Sequence, residues 1–338
     1  MKHSNISIFI PHLGCPHACS FCNQNTISGQ QKAPTPDEVK EILSNSLNEV
    51  RNKKNTEIAF FGGSFTAIDR DYMTALLEVA NEFLGSDGFS GIRISTRPDF
   101  IDSEVLSLLK GYGVTAIELG AQSMCDDVLF ANERGHTSSD VKNASRLILD
   151  FGFELGLQMM TGLYKSAPEN DLYTAYEIIK LHPKTVRIYP VAVLKNTKLH
   201  TLYKSGEYKL IPFDEMVDEC SKMLIMFKSA NIEVIRCGLH SSEDVKNNLV
   251  AGFYHPAFKE LCEGRIYRNE INRLIANVNR NHFEFLVNDR CISKAKGQNK
   301  ENVRYFEEKG ITIKLIPDRN TKIYQLKLLD TSTKGAGL

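Results

Sequence analysis

Residues 6–22 read Ile6-Ser7-Ile8-Phe9-Ile10-Pro11-His12-Leu13-Gly14-Cys15-Pro16-His17-Ala18-Cys19-Ser20-Phe21-Cys22. Ile6–Ile10 alternates β-branched or aromatic residues with a small polar one, the habit of a strand, and Pro11 breaks the run. Three cysteines follow at C-x3-C-x2-C spacing. Three thiolates on one short loop can converge on one inorganic centre, and their softness favours zinc or iron–sulfur. A structural zinc takes four protein ligands, and His12 or His17 would complete a Cys3His site. An iron–sulfur cube on three thiolates keeps one iron open for a further ligand. No second C-x2-C occurs in the chain, so spacing alone leaves both readings standing.

Further along, short β-like runs alternate with amphipathic helical ones. The runs are Ile6–Ile10, Glu57–Phe61, Gly91–Thr96, Val114–Leu119, Phe153–Met160 and Thr185–Pro190. Such alternation argues for βα units and a parallel sheet. A partial barrel and an open doubly wound sheet fit it equally. The first helix has an explicit start in Thr35-Pro36-Asp37-Glu38: threonine to cap, proline in the first turn, glutamate to close a capping box. After about Leu210 the rhythm changes. Phe213–Ser229 and Pro256–Asn279 read as helices and Ile232–Arg236 as a strand. The tail offers a strand (Phe283–Val287), a basic turn, a helix and two more strands. The expected domains are 1–240, a connecting loop and long helix over 241–280, and a small basic α+β domain over 281–338.

Composition narrows the function classes. The chain has 338 residues, 42% hydrophobic and 24% charged, with 41 basic and 41 acidic side chains. That is ordinary globular usage, long enough for a barrel plus an appendage, with no net field to steer it to nucleic acid or membrane. No run approaches the roughly 20 apolar residues of a membrane span, and the N-terminus lacks the pattern of a secretory signal. A cytoplasmic location is expected, where thiols stay reduced. Cys125, Cys220, Cys237, Cys262 and Cys291 have no paired spacing and read as small buried hydrophobes.

The detail of the cysteine loop carries a resemblance. C-x3-C-x-Phe-C, with Phe21 before the last cysteine, resembles the signature of the radical S-adenosylmethionine (radical SAM) superfamily. Phe60-Phe61-Gly62-Gly63-Ser64-Phe65-Thr66 is similar to its glycine motif. Ile94-Ser95-Thr96-Arg97-Pro98-Asp99, Glu118-Leu119-Gly120-Ala121-Gln122-Ser123 and Asn132-Glu133-Arg134-Gly135-His136-Thr137 resemble successive motifs of the elongator catalytic-subunit family. So do Val186–Pro190 and Lys198–Tyr208. Oxygen-independent coproporphyrinogen oxidases share the earlier motifs more loosely. The resemblance covers roughly residues 5–240.

The resemblance implies a partial (β/α)6 barrel followed by the small α+β domain, with a [4Fe-4S] cluster on Cys15, Cys19 and Cys22. It implies S-adenosyl-L-methionine on the open iron, cleaved reductively to a 5′-deoxyadenosyl radical. Phe21 would lie near the adenine. Gly62, Gly63 and Ser64 would hold the methionine end, and Arg97, Gln122 and Arg134 would contact carboxylate or ribose. The electron would come from a donor of flavodoxin or ferredoxin type. The substrate would be tRNA or another RNA, or alternatively a porphyrin-like or other small metabolite. The third reading is a non-enzymatic zinc-binding interaction protein. Without the resemblance, Gly62-Gly63 reads as a strand-to-helix turn, Arg97-Pro98 as a strand end, Gln122 and Arg134 as a surface amide and a solvated charge, and His136 as a structural hydrogen-bonder.

Two departures shape the expectation. The elongator subunit carries a C-terminal acetyltransferase domain. Here too few residues follow the barrel for one, and no Q/R-x-x-G-x-G/A loop occurs, so acetyl transfer in the same chain is not expected. Gln158 stands where relatives have His or Asp, and Tyr164 where they have proline. In the tail, residues 281–338 hold 11 Lys/Arg against 7 Asp/Glu. Gly297-Gln298-Asn299-Lys300 faintly resembles the clamp loop of a KH RNA module, without its second glycine. Lys294, Lys296 and Lys300 are the candidate phosphate contacts.

Overall fold

The computed structural model describes residues 4–11, 13–15, 19–23, 32–240 and 243–329. The chain folds as two compact units, residues 1–210 with 230–254, and residues 211–229 with 255–338.

The first unit is built on seven parallel strands. They are β1 (Ser4–Ile10), β2 (Thr56–Gly62), β3 (Ile92–Thr96), β4 (Val114–Gln122), β5 (Glu154–Thr161), β6 (Thr185–Pro190) and, after the short β7 (Ala192–Leu194), β8 (Glu233–Cys237). Their order in the sheet is β1-β2-β3-β4-β5-β6-β8. Strict succession decides between the two architectures that periodicity left standing. A doubly wound sheet reverses its order at a switch point and carries helices on both faces. With right-handed crossovers and no reversal, the helices fall on one face and the sheet curls into a partial barrel. The strand around Ile232–Arg236 is its seventh member. The face under the helices is apolar: Ile58, Phe60, Ile92, Ile94, Ile117, Leu119, Leu155, Leu157, Val186 and Ile188 are all buried.

Local chemistry agrees at the element ends. Thr35 Oγ1 accepts from the Glu38 amide at 3.2 Å, and Glu38 accepts from the Thr35 amide at 2.6 Å. This closes the capping box of helix Pro36–Glu49. β1 lies on β2 from Ser4 opposite Thr56 to Ile10 opposite Gly62. That register brings the cysteine loop alongside the Gly62-Gly63-Ser64 turn. β9 (Leu249–Gly252) pairs antiparallel with β7 over a small core of Ala192, Leu194 and Val245.

In the second unit, helices Phe213–Ser229 and Phe258–Ile275 accompany a three-stranded sheet. β10 (His282–Val287) is central, parallel to β11 (Thr312–Pro317) and antiparallel to β12 (Leu326–Leu328). Period-2 burial puts Phe283, Phe285 and Val287 into one core with Tyr267, Ile271, Ala295 and Phe306. Among the described residues no helix is long and apolar enough to cross a membrane.

Candidate functional site

The site begins where two backbones touch. The Gly63 amide donates to Ile10 O at 2.8 Å and the Ser64 amide to Leu13 O at 3.2 Å. A Cβ on Gly63 would stand 2.0 Å from Leu13 O, and one on Gly62, whose φ is +116°, 2.6 Å from Ile10 O. Glycine is required at both places because the cysteine loop occupies the space of a side chain. The contact brings Cys15 beside Ser64. Burial pushes the Cys15 thiol up, and the nearby Cys19 adds to the shift.

The far side of the loop is held by the Asn132–Arg134 motif. The Ser20 amide donates to Asn132 O at 3.1 Å and the Ser20 hydroxyl to Asn132 Oδ1 at 2.7 Å. The Leu199 amide donates to Ser20 O at 2.7 Å. Arg134, only 6% exposed, donates from Nη1 to Cys19 Sγ at 3.0 Å and from Nη2 to Gly120 O at 2.7 Å. It is a buried cation on a cysteine sulfur, not a solvated charge. Arg97 is also buried, and its guanidinium is taken by Asp99 through two bonds of 2.9 and 2.8 Å.

Beside Cys22 opens a cavity of about 220 Å³. Phe9, Phe21, Phe61, Met160, Tyr189 and Leu239 give it apolar walls, and Gly62, Ser95, Gln122 and Gln158 give it polar points. Of the sequence candidates, Phe21, Cys22, Gly62 and Gln122 face this space. Gly63 and Ser64 lie instead against Ile10 and Leu13. Gln122 ends β4 in a left-handed conformation, φ 63°, and its Oε1 is buried with no hydrogen-bond partner. His12 and His17 lie outside the described residues.

Beneath the cavity runs a charged layer that the motif reading did not single out. Arg187 donates to Glu118 from Nε at 2.6 Å and Nη2 at 2.9 Å. Its guanidinium lies over the Phe61 ring, 5.1 Å from the centroid. Arg93 bridges Glu57 at 2.6 Å, Glu154 at 2.8 Å and Glu118 at 3.5 Å. Gln158 Nε2 donates to Ser95 Oγ at 3.1 Å and Glu118 Oε2 at 2.8 Å. With both amide hydrogens used, Gln158 offers an acceptor oxygen. Burial acts to raise the Glu118 carboxyl, but Arg187 and Arg93 outweigh it and hold the group below the usual carboxylate range.

His136 is the structural hydrogen-bonder that its residue type suggests. Its Nε2 donates to Ala121 O at 3.2 Å, and Nδ1 is buried with no hydrogen-bond partner. Burial first, then the Arg134 charge, lowers its pKa to about 4. An unfolded histidine titrates near ~6.5, so between those values the unfolded chain binds a proton that the folded chain refuses. Stability from this group is therefore lost as pH falls. From pH 7 to 5 it amounts to about 2 kcal/mol. In His136→Gln that part of the loss should vanish, whatever the substitution costs at pH 7. Urea midpoints of both proteins at the two pH values check it, and an unchanged pH dependence refutes it.

Among the described residues no three metal-ligating side chains stand in a ready-made set. The donor chemistry nevertheless fits a thiolate-bound centre. Three cysteines share one anchored loop, and the Arg134 guanidinium, a cationic donor of the kind that suits a thiolate ligand, donates to the Cys19 sulfur.

Comparison with known proteins agrees with this architecture. The radical SAM superfamily profile matches residues 9–171, and the profile of the radical SAM C-terminal domain matches residues 183–268. Elongator complex protein 3 of Dictyostelium discoideum is 29% identical over 195 residues, covering 52% of this chain and 35% of the relative. The tRNA uridine(34) acetyltransferase of Dehalococcoides mccartyi is 25% identical over 243 residues, 61% of this chain and 52% of the relative. The chain thus spans about a third to a half of these curated relatives. The structure of archaeal Methanocaldococcus infernus Elp3 superposes with a TM-score of 0.61 at 20% identity, covering 79% of this chain and 63% of that one. A cysteine loop docked on a glycine turn at the strand ends of a sequentially wound partial barrel, matched by both consecutive profiles, makes this chain a member of the radical SAM superfamily.

Proposed function

We propose that this radical SAM enzyme modifies RNA, with tRNA as its first substrate class. In this reading Cys15, Cys19 and Cys22 hold a [4Fe-4S] cluster, and S-adenosylmethionine lies in the cavity lined by Phe21, Gly62 and Gln122. When bound, the two groups supply a one-electron reductive cleavage that yields a 5′-deoxyadenosyl radical, the electron coming from a flavodoxin- or ferredoxin-type donor. The protein's part is positioning and shielding. Arg134 steadies the Cys19 sulfur and offsets its negative charge. The aromatic walls keep water from a reactive species. The amide oxygens of Gln122 and Gln158 accept from hydroxyl or N–H groups. Gly63 and Ser64 keep the loop on the turn, and Arg97, held by Asp99, shapes the strand end.

The observation that carries the radical reading is the buried Cys19 sulfur under Arg134, on the same loop as Cys22, which lines an apolar cavity holding the unpartnered Gln122 Oε1. The RNA substrate is supported by the similarity to tRNA uridine(34) acetyltransferase over 61% of this chain. The test is 5′-deoxyadenosine formation by anaerobically reconstituted, reduced protein, with and without the host's total tRNA. The expected result is slow formation alone and several-fold stimulation by tRNA. Formation that tRNA leaves unchanged refutes the RNA substrate and points to a metabolite. No formation by cluster-loaded protein refutes the radical reading.

A further inference from the structure

Away from the barrel, the second unit has a groove of about 790 Å³ between the end of helix Phe213–Ser229, helix Phe258–Ile275 and the loop 318–325. That volume is near the top of the range for ligand sites, ~300–1,000 Å³, and far exceeds one small anion. Lys228 stands on one wall and Lys322 on the other. Both are exposed, and neither forms an ion pair among the described residues. The acidic groups nearby are engaged: Glu270 by Arg273, Asp289 by Arg319, and Asp318 by the Thr321 hydroxyl and the Asn320 amide. The donors to Asp318 are neutral, so its carboxylate keeps its charge, and Lys228, Lys322, Arg273 and Arg319 against Glu270, Asp289 and Asp318 leave the groove one positive charge in excess.

Its loop is built before any ligand arrives. The Asp318 amide donates to Val287 O at 2.7 Å, Asn288 Nδ2 to Thr321 O at 2.8 Å, and the Tyr324 amide to Tyr267 Oη at 3.0 Å. Tyr324 Oη donates to Glu263 at 2.8 Å, which fixes its ring on the wall. Ile225 and Ile323, 43% and 40% exposed, add apolar surface, and Asn320 and Gln325 add amide heads. Cations for phosphates, apolar and aromatic faces for bases and amides for base edges together suit single-stranded RNA. An acidic peptide would use the lysines but not this combination. The basic turn that carries the sequence candidates is less suited, because Lys294 is committed to Glu263 at 2.8 Å.

We propose that this groove binds a single-stranded stretch of the RNA substrate and anchors it while another part is modified. The proposal rests on the RNA reading above. The test uses reconstituted full-length protein, a short fluorescein-labelled single-stranded RNA and the host's total tRNA. The double variant Lys228→Ala/Lys322→Ala is compared with a control carrying Lys54→Ala/Lys204→Ala in the other unit. Losing two phosphate contacts should flatten the log K against log salt slope by about 1.4, at roughly 0.7 per contact for a single strand. It should also remove tRNA stimulation and leave basal 5′-deoxyadenosine formation unchanged. A groove variant with wild-type affinity and slope, or a control that loses as much, overturns the groove while the RNA reading stands. Wild-type protein that binds neither RNA overturns both.

Discussion

Cys19→Ala is expected to leave reconstituted protein without bound iron and sulfide and to abolish 5′-deoxyadenosine formation, whereas Cys125→Ala leaves both at wild-type levels. The contrast follows from environment. Cys19 lies on the loop pinned by Asn132 and Leu199, with Arg134 Nη1 3.0 Å from its sulfur. Cys125 is half-buried and receives only the Asn170 side-chain amide, at 3.5 Å. A thiolate ligand cannot be replaced by a methyl group, and no other cysteine shares the spacing of the loop. Arg134→Met keeps the ligands but removes the donor behind one of them. Loss of such an outer partner costs roughly 10–100-fold in metal affinity, so this variant should assemble a centre and lose it faster to a chelator. Iron and sulfide analysis with a chelator time course separates the three proteins. Cys19→Ala with wild-type iron and sulfide would end the cluster assignment.

The parts of this arrangement legible in the sequence are those encoded locally. A β-run, a proline and three cysteines lie within seventeen residues, and the capping box within four. Both depend on near neighbours, so periodicity and spacing report them. Strand order is different. Nothing in any one βα unit says whether the next strand adds to the same edge, so barrel and doubly wound sheet stayed equivalent until β1-β2-β3-β4-β5-β6-β8 was seen. The charged layer was hidden for the same reason: Arg187 and Glu118 are 69 positions apart, Arg93 and Glu154 61. A signal was nevertheless present. Glu57, Arg93, Glu118, Glu154 and Arg187 are each the only charged residue of their strand, in five successive, largely apolar strands. An isolated charge in a buried strand needs a partner, and five of them of mixed sign imply one another. Arg97 shows the reach of a local signal. Its motif position suggests a ligand contact, and the carboxylate that takes its guanidinium in the protein, Asp99, stands two residues on in the same motif.

Glu118→Ala is expected to cost about 3–5 kcal/mol of stability, because it leaves Arg187 buried without its carboxylate. Glu118 is 1% exposed, and Arg93 keeps Glu57 and Glu154, so the orphaned charge is chiefly Arg187. Glu118→Gln retains the shape and part of the hydrogen bonding and should fall between the two. The carboxyl is held below its unfolded value near ~4.3. Its contribution is therefore present above that pH and is lost as pH falls through the lower folded value. The double variant Glu118→Leu/Arg187→Met removes both charges and fills the space with apolar atoms. Buried pairs exchanged in this way are often neutral or stabilising, so its urea midpoint should return most of the way to wild type. Binding of S-adenosylmethionine should not return with it. Gln158 directs its oxygen only because Glu118 and Ser95 take both its amide hydrogens, and Phe61 would lose the guanidinium over its ring. A double variant restored in stability but weak in S-adenosylmethionine binding identifies the layer as a positioning device for the cavity. Recovery of both would make it structural alone, and recovery of neither would mean that Arg187 was not the charge left stranded.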